Sequence, residues 1–159
     1  MSSRRRTAHG VCLLLFRGYN AAMAAERWEF WIDVGGTFTD CLAKSPDGTI
    51  RRHKLLSSGA TKGRVEFGST RDEIIDRARC GDPDGFWAGW RLAILGDDGH
   101  EVDSAEVVGF DRPAHRLRLR GLTHSPASGS SYELRCGLEA PVVAIRYLRS
   151  RRKQVVLSV

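Results

Sequence analysis

Phe30-Trp31-Ile32-Asp33-Val34-Gly35-Gly36-Thr37-Phe38-Thr39-Asp40-Cys41 is the stretch on which the reading of this 159-residue chain turns. An apolar, aromatic run leads into an acid, then a glycine pair, then hydroxyls alternating with Phe38. Trp28, Phe30 and Ile32 alternate with Glu29, Trp31 and Asp33, the period of a strand with one buried face. The spacing predicts a strand, a tight turn and a second strand. Gly35 and Gly36 lack a Cβ, so the backbone can take φ > 0 and bring N–H groups against a ligand. Amides arranged in that way suit a phosphate, and the hydroxyls of Thr37 and Thr39 would add two donors. Asp33 and Asp40 repel a phosphate, so they suit a Mg²⁺ whose water shell lies between carboxylate and anion.

Working outward, Ser45-Pro46-Asp47-Gly48 is a turn tetrad, with proline set for position i+1 and glycine free to take φ > 0. Thr37–Ala43 runs up to it and Thr49–Leu56 runs back. With the strand from Trp28, this makes an antiparallel meander of three strands. Lys54 lies on the third, where it could aim at a phosphate but reads first as an exposed strand lysine. Cys41, beside the Asp40 carboxylate, reads as a packing residue.

Three blocks in order, Phe30 to Asp40, Pro46-Asp47-Gly48 and His53-Lys54-Leu55-Leu56-Ser57, make residues 28–62 resemble the start of the hydantoinase A and 5-oxoprolinase family. The first block also resembles the first phosphate turn of actin-like, sugar-kinase-like ATPases. The resemblance implies a mixed α+β fold that opens an actin-like (ribonuclease-H-like) lobe. It implies an ATP-dependent cyclic-amide hydrolase with a lactam or hydantoin substrate, and ATP and Mg²⁺ as cofactors. Asp33 would hold the Mg²⁺ water shell. Gly35, Gly36, Thr37 and Thr39 would cradle phosphate, and Asp40 would stand behind the shell or serve as a base for water. No catalytic residue is assigned by it. In the family the chain would continue through a Gly-Thr-Thr phosphate turn and further domains, so a truncated N-terminal region, inactive by itself, is expected. Two alternatives stay open: a binding module whose site a second chain completes, and a fragment of a sugar-kinase-like phosphotransferase.

Composition constrains the rest. The net charge is +6, but Arg4–Arg6 at one end and Arg149, Arg151, Arg152 and Lys153 at the other supply seven positive charges, leaving the body near neutral. No basic face interleaved with aromatics remains, which argues against nucleic acid as a partner. Cys12, Cys41, Cys80 and Cys136 form no C-x-x-C pair, so neither a zinc site nor a disulfide framework is read, and a cytoplasmic setting is expected. His115 and His124 lack the partners a metal would need. Residues 1–22 imitate a secretory leader, yet the apolar core Val11–Phe16 is short for one and far too short to span a bilayer. They read as an overextended start or a disordered leader, with Met23 as the natural beginning, and no membrane partner is expected.

Downstream of the meander, Ser57–Gly68 reads as loop. Thr70-Arg71-Asp72-Glu73 has capping-box spacing, and Ile74, Ile75 and Ala78 predict a helix of about ten residues ending at Gly81 and Pro83. From Phe86 the period shortens. Trp90–Leu95, Val102–Phe110, Arg116–Arg120 and Tyr132–Cys136 predict strands at hairpin spacing, hence a small β-sandwich or barrel over 86–139. Val142-Val143-Ala144-Ile145 predicts a return strand within 140–159, before a basic end unlike the family. The expected organisation is a leader (1–22), a family segment (23–80), a β-rich insert (86–139) and the return segment, with the family segment and the insert packing as separate units.

Overall fold

The computed structural model describes residues 12–13 and 27–151. The readings made for 1–22, apart from one two-residue strand, β1 (Cys12–Leu13), and those for residues beyond 151 therefore lie outside the described residues.

The chain divides into two units. In the first, β2 (Glu29–Val34), β3 (Phe38–Lys44) and β4 (Ile50–Leu56) form the expected antiparallel meander, and β1 pairs with the outer edge of β2 at Trp31 and Ile32. The turn after β3 forms as read: Ser45 N–H reaches Thr49 O at 2.9 Å, and Gly48 sits at φ +83°. The Asp47 carboxylate takes the Ser45 hydroxyl and the Thr49 amide at 3.0 Å. These bonds, Ser45's first, hold its pKa down at about 2. Across the sheet the register aligns Phe30 with Ala43, and Ile32 with Cys41 and His53. Phe30, Ile32, Cys41 and Ala43 are all buried. The opposite face carries Trp31, Leu42 and Arg52 in one row and Asp33, Asp40 and Lys54 in the next.

What covers the buried face corrects the sequence reading. Residues 140–150 are a helix, α1 (Ala140–Ser150), with proline in its first turn, in place of the predicted return strand. Pro141 suits a helix start because its missing N–H would have had no partner there. Ala140, Val143, Ala144, Tyr147 and Leu148 form the buried stripe, at the spacing that puts side chains on one helix face. The β-branched run Val142–Ile145 favours extended backbone only weakly. Packing of α1 onto this face of β3 and β4 overrides that preference.

The second unit, Ala60–Leu138, is one six-stranded antiparallel sheet. Its strands are β5 (Thr61–Arg64), β6 (Glu73–Ile75), β7 (Arg91–Leu95), β8 (Glu101–Asp111), β9 (Arg116–Arg120) and β10 (Ser131–Arg135), in the order β5-β10-β7-β8-β9-β6. The sheet curls until its edges meet: Glu66 N–H donates to Ile75 O at 3.0 Å, and Arg64 N–H reaches the Asp76 carboxylate at 3.3 Å. Inward residues Ile74, Leu92, Val107, Leu117, Tyr132 and Leu134 close the interior. The β-rich insert expected over 86–139 is thus part of this single curled sheet, which also takes in β5 and β6.

Two further expectations change here. The helix predicted after Thr70 is absent. The Thr70 hydroxyl does accept from Asp72 and Glu73 N–H, at 3.3 and 3.2 Å, but the chain then extends into β6, paired with β9. Ile74 and Ile75 are β-branched and find a strand edge to join, and the Glu73 carboxylate meets Arg116 at 2.8 Å. Only a short 3-10 turn, Arg77–Gly81, follows. The division between units also falls at Gly59–Ala60 instead of Gly81–Gly85, because β5 and β6 belong to the same sheet as β7–β10.

That 3-10 turn carries a buried ionic cluster which the sequence reading missed. Asp76 caps it, accepting from Ala78 N–H at 2.9 Å and from the Tyr132 hydroxyl at 2.6 Å. The Arg79 guanidinium lies between Asp76 and Asp82, 3.5 Å from each, and donates to Lys62 O. Trp87 Nε1–H closes the set on Asp82 at 2.9 Å. Gly63 makes room for it, since a Cβ there would fall 2.3 Å from the Tyr132 hydroxyl oxygen.

Candidate functional site

The glycine turn joins β2 to β3 through residues 35–37, and the stretch from Asp33 to Phe38 is exposed. Gly35 N–H donates to Phe38 O at 2.9 Å, which makes Gly35 part of the hairpin closure. A Cβ at Gly35 would sit 3.0 Å from that same carbonyl oxygen, so a larger residue would press on the closing bond. Ser57, just beyond β4, ties the tip down from one side. Its N–H reaches Thr37 O at 2.9 Å and its hydroxyl donates to Gly35 O at 2.7 Å. In a trans peptide the N–H points opposite to the preceding C=O. With Gly35 O turned to Ser57, the Gly36 N–H is directed to the other, open side. Nothing lies within 4 Å of a Cβ built at Gly36. The Gly36 amide and the Thr37 hydroxyl have no hydrogen-bond partner among the described residues.

The six residues singled out in sequence divide into two groups. Asp33, Gly36, Thr37 and Asp40 present free or exchangeable polar groups at the tip or on the outward face of the sheet. Thr39 does not: it is fully buried on the α1 side, where its hydroxyl lies 3.1 Å from the Ser57 hydroxyl. The Gly35 amide is likewise spent on Phe38. Asp33 and Thr39 fall on opposite faces, since Asp33 is registered with Asp40 whereas Thr39 is registered with Val34. A pocket that uses all six residues together is therefore not what this hairpin builds. Alternation along a strand, combined with a three-residue connection, puts Thr39 underneath.

The charges on the outward face are arranged unevenly. The Asp40 carboxylate receives Arg52 at 2.6 Å and Lys54 at 3.2 Å. The Arg52 hydrogen bond, helped by Lys54, holds Asp40 below the usual carboxylate range. The Lys54 ammonium also sits 4.8 Å from the centre of the Phe38 ring, at the start of β3. Lys54 is thus exposed, as read, but engaged. Directly across from Asp40, the Asp33 carboxylate has no ion-pair partner among the described residues.

That donor set fits a Mg²⁺. A hard, exposed carboxylate suits an ion that keeps several waters and takes one or two protein oxygens. It is not a closed protein cage, and no cluster of three or more metal-ligating side chains occurs among the described residues. Cys41, behind the site, is buried, and burial pushes its thiol up to about 11, in keeping with the packing role read from sequence.

Residues 29–78 match the family model for the hydantoinase/oxoprolinase N-terminal region. The matched segment begins with β2, contains the whole glycine turn and its Ser57 tether, and ends at Ala78 in the 3-10 turn. No curated protein and no solved structure matches the chain.

Proposed function

We infer, with the hydantoinase/oxoprolinase match of residues 29–78 as premise, that this chain contributes the first phosphate-binding turn of an ATP-dependent cyclic-amide hydrolase. The observation that carries the reading is the state of the tip. Near the start of the matched segment, the Gly36 amide, the Thr37 hydroxyl and the Asp33 carboxylate are exposed and have no hydrogen-bond or ion-pair partner among the described residues. The meander would then be the opening of an actin-like lobe, working in the cytoplasm.

In that reading, the Gly36 N–H and the Thr37 hydroxyl donate to a terminal phosphate of ATP. Asp33 orients the water shell of Mg²⁺, which when bound would neutralise charge on the phosphoryl group being transferred to the lactam oxygen. Ser57 acts through the backbone: by holding the Gly35 and Thr37 carbonyls on one side, it fixes the direction of the Gly36 amide before ligand arrives. Thr39 supports Ser57 from below. Preorganised donors of this kind cost no reorganisation at the moment of reaction.

A second reading shares the same observation. The tip is exposed, with Ser57 tethering it from one side, so it would provide one lip of a site and a partner chain the other. Titration of Mg·ATP into the purified chain tests the phosphate role in both readings. Weak binding that needs Mg²⁺ and is lost in Asp33→Asn is expected. Binding that is unchanged in Asp33→Asn would refute a role for this turn. Phosphate release that rises only when a candidate partner chain is added would favour the second reading.

A further inference from the structure

We propose that Arg52 and Lys54 are further anion ligands of this site, held ready on Asp40, and that a metal-bound polyphosphate binds by exchanging partners with them. The phosphate oxygens would take the two cations, and Asp40, released, would join Asp33 on the divalent ion. The proposal rests on the phosphate reading above.

Register supplies the first ground. Asp33, Asp40 and Lys54 are directly opposite one another across three strands, so two carboxylates face each other on an exposed sheet surface. Like charges in that position repel. Two cations, both on β4, converge on Asp40 and leave Asp33 without one: Lys54 comes from directly across, and Arg52 diagonally from the neighbouring row. A divalent ion between Asp33 and Asp40 would relieve the repulsion, and the two displaced cations need an anion to replace Asp40. A polyphosphate carrying its own divalent ion brings both partners at once.

Exposure supplies the second ground. The Arg52 side chain is 66% exposed and that of Lys54 50%. Exposed ion pairs contribute little, so breaking them costs little. Arginine and phosphate can instead form two parallel N–H···O bonds, among the stronger contacts a guanidinium makes. Position supplies the third. Phe38, the residue after Thr37, lies beneath the Lys54 ammonium and keeps it at the tip, on the same face as Asp33.

Titration calorimetry with Mn²⁺, tripolyphosphate and Mn·tripolyphosphate tests the exchange in wild type, Asp33→Asn, Asp40→Asn and the double variant Arg52→Gln/Lys54→Gln. All four positions face outward, and an unchanged thermal midpoint checks that each variant folds. The double variant should weaken Mn·tripolyphosphate by about tenfold or more, the loss of at least one charge-assisted hydrogen bond. It should bind Mn²⁺ alone no more weakly than wild type, because Asp40 is then free. Asp40→Asn should do the reverse, weakening Mn²⁺ and strengthening metal-free tripolyphosphate. Equal affinity of wild type and double variant for Mn·tripolyphosphate would overturn the exchange. If that binding is still lost in Asp33→Asn, the phosphate reading survives without it. If wild type binds no Mn·tripolyphosphate, both fall together.

Discussion

His53 shows what a single residue contributes to this fold. It lies on β4, in the row of Ile32 and Cys41, and stacks on Tyr147 of α1 with ring centres 3.9 Å apart. Burial, with Arg151 nearby, lowers its pKa from 6.5 to about 4. The folded state thus binds this proton more weakly than the unfolded chain. The stability involved is present above about 6.5 and is lost as pH falls towards 4. Thermal unfolding of the first unit should therefore drop between those values, and His53→Phe, which keeps the stack without the proton, should flatten that part of the profile. An equally steep fall in His53→Phe would assign the pH dependence elsewhere. Ser57 is the other telling position. Ser57→Ala removes the hydroxyl tether to Gly35 O, and loss of one such bond costs about 1 kcal/mol. Faster hydrogen exchange at Gly35, with the rest of the meander unchanged, is the expected signature. Sequence did show the residues that matter here, because Asp33, the glycine pair and Thr37 are chemically distinctive. It did not show that Thr39 and the Gly35 amide are engaged. That depends on which face a strand turns inward, and α1 settles this from a hundred residues away.

Among the elements, the hairpins were legible and the helices were not, for one physical reason. Hairpin turns announce themselves locally: Pro46-Asp47-Gly48 carries a glycine at φ +83° in the structure. The fate of Ile74–Ile75 and of Val142–Ile145 was decided by what each segment packs against. The first found the free edge of β9, the second the uncovered face of β3 and β4. The Asp76–Arg79–Asp82 cluster had a signal that went unused, opposite charges at a spacing of three around a short helical turn. Its energetics give a prediction at this scale. Asp76→Ala leaves the buried Arg79 short of one of its two counter-charges and the Tyr132 hydroxyl without its acceptor. Breaking a buried pair from one side costs about 3–5 kcal/mol. Denaturant unfolding should show a loss of that size for Asp76→Ala, and a smaller one for the joint replacement Asp76→Asn/Arg79→Met, which removes both charges. A larger loss in the joint variant would mean that the cluster is not acting as a charge pair.

For the whole molecule, the two units give the chain its organisation, and the first is discontinuous: its meander comes from residues before 60 and its helix from Glu139 onward. The second unit, residues 60–138, closes its own sheet and should fold when expressed alone, with a β-type circular dichroism spectrum and a cooperative transition. A featureless melt for that piece would contradict the division. The catalytic expectation also belongs to this scale. On the proposed reading this chain supplies only the first phosphate turn, so a transferring phosphoryl group would need donors from elsewhere to be positioned. Purified protein should release no phosphate from ATP above background, with or without 5-oxoproline. Release that depends on 5-oxoproline and vanishes in Asp33→Ala would show that the chain is self-sufficient. The central claim, that the open tip receives phosphate, is tested most directly by amide NMR of the purified chain titrated with Mg·ATP. The account predicts that the Gly36 amide shifts most, with Thr37 and Asp33 following, and that Asp33→Asn abolishes the change. Shifts confined to the second unit, or none at Gly36 when nucleotide is bound, would contradict it.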